Sequence, residues 1–288
     1  MTRPLTAMPP ATAGRVRALL TDIDDTLTTA GRLTAAAYGA LEALHSAGVI
    51  TVAVTGRPGG WCDHIARMWP FDAVIGENGA FYFQYQRRKR EMRQRFWLPP
   101  SERAANRETL RALGERILAA VPGSALASDQ PYRVSDLAID YCEDVAPLPQ
   151  SSVDRIVALF EEAGAHAKVS SIHVNGWFGS YDKRRMAEIL LRDEFSLEPS
   201  SDAIVYVGDS PNDEPMFSAF ALSVGVANVK NFAHRLRAKP AYVTPSPSGA
   251  GFAELADHLL SARRASRLGN AELLREPPLR DVGPEVDL

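Results

Sequence analysis

Short apolar runs that end at polar clusters recur along this chain, and they predict buried strands. The runs VRALLT (16–21), VITVAVT (49–55) and AIVYVGD (203–209) are separated by segments with helical periodicity. A strand that is apolar on both faces is typical of a parallel sheet covered by helices. The two ends of the chain therefore predict an α/β domain with a largely parallel sheet.

The pattern changes between these two α/β segments. Residues 133–142 and 167–180 alternate like half-exposed strands, and residues 101–121 and 151–164 predict helices. Two helices beside an antiparallel sheet predict an α+β domain inserted into the first. The expected organisation is a loose leader at 1–15, a core at 16–82 and 181–261, an inserted domain at 83–180 and a peripheral tail at 262–288.

Composition narrows the class of protein. Of 288 residues, 45% are hydrophobic and 23% are charged, which excludes disordered, collagenous and coiled-coil proteins. Cys62 and Cys142 are too few for a disulfide framework and indicate a reducing, cytoplasmic compartment. The first 20 residues lack a secretory signal, and no apolar run could span a bilayer, so a membrane partner is not expected. A net charge of -3 gives no general attraction to polyanions.

Carboxylates cluster at the ends of two predicted strands. Asp22, Asp24 and Asp25 follow the first strand, and Asp209 and Asp213 follow a later one. Such charges repel one another and are costly to bury unless a cation compensates them. Mg²⁺ prefers carboxylate oxygens and retains sites for water and phosphate, so it is the expected cofactor.

Other polar groups are expected at the same edge of the sheet. Thr55, Gly56 and Arg57 end the second strand and offer a hydroxyl and backbone N–H groups for phosphate oxygens, and Lys183 begins a helix. Each feature alone has a plainer explanation, as a helix cap, a turn or a solvated lysine. Their combination and order carry the functional prediction.

The ordered segments DIDDTLT, VTGRP, DK at a helix start and GDSPND resemble the four motifs of haloacid dehalogenase (HAD) superfamily phosphatases. The resemblance covers residues 16–261 and implies a Rossmann-like core, Mg²⁺ dependence and an aspartyl-phosphate intermediate. It also implies that the inserted domain is a C2-type cap. The segments ENGA and SVGVANV resemble the Cof-type branch, subfamily IIB, whose members are similar to sugar phosphatases.

The resemblance implies a role for each matching residue. Asp22 would be the nucleophile and Asp24 the general acid and base. The metal-site residues would be Asp22, the backbone carbonyl of Asp24, Asp209 and, beside them, Asp213. The phosphate-binding residues would be Thr55, Gly56, Arg57, Lys183 and Asn212. Many family members have glycine where this chain has Asp25, which is compatible with a turn and could pair with Arg57.

The inserted domain should select the substrate. Its expected hairpin is strongly basic, with Arg87, Arg88, Lys89, Arg90, Arg93 and Arg95 against Glu91. This hairpin could attract an anionic substrate, although charge runs more often simply face water. Alternation places His173, Asn175 and Trp177 on one side of a strand, where they could bind a sugar hydroxyl or pack in the core. Arg133 and Asp136 are further candidates.

The sequence thus predicts an Mg²⁺-dependent phosphohydrolase that acts on a small phosphorylated metabolite, foremost a sugar phosphate. A phosphomutase similar to the phosphomannomutases is an alternative in the same fold. A non-catalytic protein that binds anions or nucleic acid through the basic hairpin is a second alternative, although nucleic acid is not expected as a partner. A homodimer is compatible with the sequence.

Overall fold

The computed structural model describes residues 2–273, and it contains two sheets. The strands are β1 (Arg3–Pro4), β2 (Ala18–Thr21), β3 (Ile50–Val54), β4 (Ala73–Gly76), β5 (Phe81–Gln86), β6 (Glu91–Phe96), β7 (Ala125–Leu126), β8 (Leu137–Asp140), β9 (His166–Val169), β10 (His173–Trp177), β11 (Ile204–Gly208), β12 (Leu222–Gly225) and β13 (Tyr242–Val243). The helices are α1 (Pro10–Gly14), α2 (Ala35–Ser46), α3 (Gly59–Met68), α4 (Pro100–Ala120), α5 (Gln150–Glu162), α6 (Lys183–Phe195), α7 (Glu214–Ala219) and α8 (Ser248–Leu273).

The core is a three-layer α/β domain. Its sheet has the strand order β1-β13-β12-β11-β2-β3-β4-β5-β6, and all neighbours from β1 to β4 pair in parallel. Leu19 of β2 packs with α2 and α8 on one face, while Ala18 and Leu20 pack with α6 and α7 on the other. Both faces of the central strands are therefore buried, as their continuous apolar runs predict. The predicted α/β fold class is confirmed.

The cap comprises α4 to β10. Its sheet is antiparallel, with the order β7-β8-β10-β9, and α4 and α5 cover one face of it. Val174 of β10 packs against these helices, whereas His173 and Asn175 alternate to the opposite face. That opposite face lies over the carboxyl edge of the core sheet, where parallel α/β sheets bind ligands.

The basic hairpin β5–β6 belongs to the core sheet, contrary to its predicted place in the cap. β5 pairs antiparallel with β4, so it runs away from the carboxyl edge, and the turn 87–90 lies at the amino end of β4. Arg93 forms an ion pair with Glu194 at 2.7 Å, and Arg95 pairs with Asp193, both at the end of α6. The turn of this hairpin therefore lies at the end of the sheet opposite the carboxyl edge, a location that favours the plainer interpretation of a charge run facing water.

The expected loose leader is also wrong. β1 extends the core sheet beside β13, and α1 packs against α8. Leu5, Met8 and Ala13 are buried in the core. Pro10 is the first residue of α1, a position at which proline is tolerated.

The peripheral tail expected from residue 262 begins as an ordered helix. α8 continues to Leu273, Ala262 is buried, and Arg263 donates hydrogen bonds to the carbonyls of Val16 (2.6 Å) and Ala47 (3.2 Å). Residues 274–288 of the expected tail lie outside the described residues. Across residues 2–273, none of the helices combines the length and the hydropathy that crossing a bilayer requires.

Candidate functional site

Three buried aspartates meet at the carboxyl edge of the core sheet. Asp22 follows β2, and Asp209 and Asp213 follow the neighbouring strand β11. One carboxylate oxygen of each lies within 4.8 Å of the others, and the residues are 4%, 1% and 0% exposed respectively. Because the two strands are parallel and adjacent, their ends join the two acidic motifs of the sequence into one cluster.

Lys183 supplies positive charge to this cluster. It is the first residue of α6, after the N-cap Asp182, and it is 2% exposed. Its Nζ lies 2.7 Å from Asp22 Oδ1 and 2.7 Å from Asp213 Oδ1. Burial is the largest single effect and lowers the pKa of Lys183. The charges of Asp213 and Asp22 and the hydrogen bonds to them together outweigh burial and raise the pKa, so the ammonium group stays charged.

Asp213 is saturated with hydrogen bonds. Besides Lys183, the donors to its carboxylate are the hydroxyl of Tyr206 at 2.5 Å and the backbone N–H groups of Asp209 at 2.9 Å and Ser210 at 3.2 Å. Each oxygen therefore accepts two hydrogen bonds, which makes Asp213 suited to holding Lys183 and the loop in place. Gly208 is required beside it, because a Cβ there would lie 2.4 Å from Asp213 Oδ2.

The negative charges of ionised Asp22 and Asp209 are not fully compensated by the positive charges and hydrogen-bond donors around them. Burial raises the pKa of Asp22 to about 8, although the charge of Lys183 lowers it. Burial and the charge of Asp213 raise the pKa of Asp209 well above its usual range. Asp209 accepts hydrogen bonds from Asn228 at 3.0 Å and Thr26 at 3.3 Å, neither of which is charged. A divalent cation would relieve this repulsion, and the oxygen donors fit Mg²⁺.

Arg57 holds the second aspartate of the first motif. Its Nε lies 3.1 Å and 3.0 Å from the two oxygens of Asp24, and its Nη2 lies 2.9 Å from Oδ1. The ring of Trp61 covers the guanidinium group, with Cζ 4.5 Å from the ring centroid. Asp24 thus faces the same space as Asp22, but its carboxylate is fixed by an arginine and is not part of the three-aspartate cluster.

The cap closes on the same arginine. Arg57 Nη2 donates to Glu143 Oε1 at 2.8 Å, and Nη1 lies 3.3 Å from Asp129 Oδ2. His173 Nε2 lies 2.8 Å from Glu143 Oε2, an ion-pair distance at an angle unfavourable for a hydrogen bond. Burial favours the neutral acid, but the contacts with His173 and Arg57 outweigh it and lower the pKa of Glu143 to about 2.

A second arginine ties the cap to the backbone of the core. Arg133 Nη1 donates to the carbonyl of Gly56 at 2.8 Å, and its guanidinium group is paired with Asp129 and Asp136 at 3.0 Å each. Asn175 donates to Asp136 at 3.0 Å. The cap residues over the site are thus held in one network of charged and amide groups.

Glu77 anchors the junction of core and cap. The four N–H groups that its carboxylate accepts are those of Gly59 (2.9 Å) in the core and of Val134 (2.9 Å), Ser135 (2.6 Å) and Asp136 (3.1 Å) in the cap. An acceptor-only carboxylate satisfies all four donors, which fixes the loop that carries Arg133.

Core and cap enclose a small cavity between them. Its lining residues are Asp22, Asp24, Gly56, Arg57, Arg133, Ser170, Ser171, Ile172, His173, Asn175, Ser210 and Asn212. Its volume is ≈ 10 Å³, about enough for one water molecule. A phosphorylated metabolite therefore requires the cap and core to move apart before it can enter.

The structure brings most of the sequence-predicted residues to this cavity. Lys183, Asp209 and Asp213 lie behind Asp22, outside the lining. Thr55 also lies outside it, where its Oγ1 accepts a hydrogen bond from the backbone N–H of Arg57 at 3.0 Å.

The suggested pair of Asp25 and Arg57 is replaced by the pair of Asp24 and Arg57. Asp25 itself has φ +54°, a left-handed conformation that favours glycine and that aspartate tolerates. This backbone geometry explains why glycine suits the same position in similar sequences.

Sequence reasoning missed several residues of the site. Glu143 and Asp129 lie in cap loops, and Tyr206 lies within a buried strand where its hydroxyl gives no periodic signal. Asn228 joins Asp209 Oδ2 to the carbonyl of Asp25, each at 3.0 Å. Only Asn228 had a sequence signal, since it lies in the segment SVGVANV.

Comparison with known proteins identifies the architecture. The family model for haloacid dehalogenase-like hydrolases matches residues 19–96, which include Asp22, Asp24 and the segment at Thr55. No curated protein matches the sequence.

Solved structures resemble nearly the whole chain at low identity. A protein from Thermoplasma acidophilum is 18% identical, with a TM-score of 0.65, over 85% of this chain and 98% of that one. A HAD/COF-like hydrolase from Plasmodium vivax is 17% identical, with a TM-score of 0.64, over 88% and 99%. A sucrose-phosphatase from Synechocystis sp. PCC6803, solved with sucrose and phosphate, is 16% identical, with a TM-score of 0.59, over 84% and 97%.

These matches confirm the resemblance that the four motifs indicated. The chain shares the fold of these solved structures, with its Rossmann-like core, and residues 19–96 are similar to haloacid dehalogenase-like hydrolases.

Proposed function

We propose that the protein is a divalent-metal-dependent phosphatase that releases phosphate from a small phosphorylated metabolite, foremost a sugar phosphate, in the cytoplasm. One observation carries this proposal: a buried carboxylate, Asp22, contacts Lys183 and clusters with the acidic residues Asp209 and Asp213 at the carboxyl edge of the sheet. The sucrose-phosphatase of similar fold supports the class of substrate.

Asp22 and Asp209 are the residues that would hold the metal ion. Both are buried, both have raised pKa values, and both retain acceptor capacity that Asp213 lacks. We expect the backbone carbonyl of Asp24 to complete the protein's share of the ligands, as the resemblance implies. A bound Mg²⁺ would neutralise negative charge on the phosphoryl oxygens.

Asp22 is the proposed nucleophile. One of its oxygens contacts Lys183, and the attack of a carboxylate oxygen on phosphorus would form an aspartyl phosphate and expel the substrate alcohol. Lys183 would offset the charge that accumulates on the phosphoryl group, together with the amide of Asn212 at the cavity wall.

Asp24 is the proposed general acid and base. It lines the cavity with Asp22, and Arg57 fixes its carboxylate. Asp24 would give a proton to the leaving oxygen and then take one from the water that hydrolyses the aspartyl phosphate. Gly56 and Arg57 would form the phosphate-facing wall, whereas Thr55 would act by holding their turn.

The test compares phosphate release by wild type, Asp22→Asn and Asp257→Asn with an aryl phosphate and Mg²⁺. Asp257 is an exposed aspartate of α8, so its variant is a matched control for loss of one carboxylate. We expect Asp22→Asn to lose on the order of 10⁶-fold in kcat, as loss of a catalytic nucleophile does, and Asp257→Asn to be unchanged. Activity of Asp22→Asn close to wild type contradicts the proposal.

Product analysis with sugar monophosphates separates the proposed hydrolase from a mutase. A hydrolase releases one inorganic phosphate per sugar consumed. Accumulation of an isomerised sugar phosphate without free phosphate identifies a phosphomutase instead.

A further inference from the structure

Glu143 occupies a rigid turn at the edge of the candidate active site. It follows β8, and the backbone N–H groups of residues 142–144 donate to the carboxylate of Asp140 at 2.8–2.9 Å. Asp140 is 1% exposed, so this turn is built on a buried anchor. The backbone that carries Glu143 is therefore fixed before any ligand binds.

The Glu143 side chain reaches across to the lining of the cavity. Its two oxygens lie 2.8 Å from Arg57 Nη2 and 2.8 Å from His173 Nε2, and both of those residues line the cavity. The Glu143 side chain is itself 26% exposed, which places its charge at the rim rather than in the interior. Glu143 thus places a negative charge beside two residues of the cavity lining, Arg57 and His173.

The positive charges at this end of the cavity are already matched. Arg57 and Arg133 are the two cationic side chains among the lining residues. Arg57 is paired with Asp24, Asp129 and Glu143, and Arg133 is paired with Asp129 and Asp136. No arginine of the lining therefore offers an unpaired charge to a second anionic group of a substrate.

Besides Arg133, His173 and Ile172, the cap contributes three uncharged polar residues to the lining. Ser170 and Ser171 lie in the turn before β10, and Asn175 lies on that strand. Hydroxyl and amide groups recognise alcohols by hydrogen bonding and carry no formal positive charge. The chemistry of the cap thus matches a leaving group that carries hydroxyls and no charge.

We propose that Glu143 is a specificity-determining residue that restricts the site to monoesters of neutral, hydroxyl-bearing alcohols and excludes substrates with a second phosphate. This inference rests on the proposed phosphatase function. It follows from the negative charge of the carboxylate, which repels a second phosphate, and from its hold on Arg57, a cation of the cavity lining.

The test measures kcat/KM for a hexose 6-phosphate and a hexose 1,6-bisphosphate with wild type, Glu143→Gln and Glu161→Gln. Glutamine keeps the shape of the side chain and one acceptor for Arg57 while it removes the charge. Glu161 is an exposed glutamate of α5, so its variant removes the same charge from the cap outside the cavity lining. An aryl phosphate serves in parallel as the indicator of phosphatase activity itself.

We expect wild type to favour the monophosphate by about tenfold or more, since like charges several ångströms apart at a protein surface repel by roughly that factor. Glu143→Gln should narrow this ratio by about tenfold, mainly through a lower KM for the bisphosphate, and Glu161→Gln should leave it unchanged.

Three results would overturn the inference while phosphatase activity is intact. These are equal kcat/KM values for the two substrates in wild type, a preference for the bisphosphate, or a parallel change with both substrates in Glu143→Gln. Loss of all turnover in wild type, the aryl phosphate included, refutes the phosphatase function instead, so the two failures are distinct.

Discussion

Replacing Lys183 with methionine tests the electrostatics of the aspartate cluster. The Lys183 ammonium group is buried, 2.7 Å from each of two carboxylates. Asp213 keeps three hydrogen bonds without it, from Tyr206 and two backbone N–H groups. Asp22 has Lys183 as its side-chain donor, so Asp22 is the carboxylate left without compensation.

The cost of Lys183→Met should depend on pH. Removing one partner of a buried ion pair typically costs about 3–5 kcal/mol of unfolding free energy. Burial raises the pKa of Asp22 to about 8, so in the metal-free protein Asp22 is neutral at pH 6 and charged at pH 9. We expect the larger loss at pH 9 and a loss smaller by up to about 1.4 kcal/mol at pH 6, because pH 9 lies one unit above the pKa of Asp22.

Urea unfolding of metal-free protein at the two pH values measures these losses. Lys168→Met is the control, because Lys168 is exposed on β9, and it should change stability by less than about 0.5 kcal/mol. Saturating Mg²⁺ at pH 9 should reduce the loss in Lys183→Met, since the ion would compensate Asp22. Equal losses at pH 6 and pH 9, or a loss no larger than in the control, would refute this account of the cluster.

Two further predictions concern metal binding and the basic hairpin. Asp22 must lose its proton to bind Mg²⁺, so the affinity measured by calorimetry should rise at least about tenfold per pH unit up to about pH 8 and level off above it. Without metal, the folded-state pKa of Asp22 lies above its usual 3.8. The contribution of Asp22 to stability should therefore be full below pH 4 and lost as pH rises through about 8. A metal affinity that is independent of pH contradicts the raised pKa on which both predictions rest. The triple substitution Arg88→Gln, Lys89→Gln and Arg90→Gln should leave kcat/KM and its salt dependence within about twofold of wild type, because the turn lies at the opposite edge of the sheet from Asp22. A severalfold fall in kcat/KM at low salt would show that the hairpin does attract the substrate.

The sequence placed the acidic motifs correctly at strand ends, and it did so for a local reason. Apolar runs such as 16–21 and 203–209 report burial on both faces of a strand, and the residues that follow them must lie at one edge of a parallel sheet. The sequence also predicted the helix that begins at Lys183, and in the structure Asp182 is its N-cap. The order of the motifs and the local periodicity were thus sufficient to predict the α/β core with its inserted α+β domain.

The boundary of the cap needed the tertiary structure. The sequence predicts that β5 and β6 form a hairpin, but it does not say which sheet the hairpin joins. In the structure β5 pairs with β4 of the core sheet, and the alternation of residues along a strand gives no information about its neighbour. The same holds for the first 15 residues, which the sequence predicts as a loose leader and whose helix α1 packs against the distant α8.

The pairing of charges was also beyond the sequence. Asp22 is joined to Lys183, and Arg57 to Asp24 and Glu143, over long separations in the chain. Which carboxylate an arginine meets depends on how the cap docks on the core, and the docking is decided by contacts spread over both domains, including those of Glu77. The sequence by itself determined which groups lie at the carboxyl edge of the core sheet, because the position of a strand end follows from the local pattern of residues. Only the tertiary structure decided which of these groups compensate one another, because electrostatic pairing depends on distances in space.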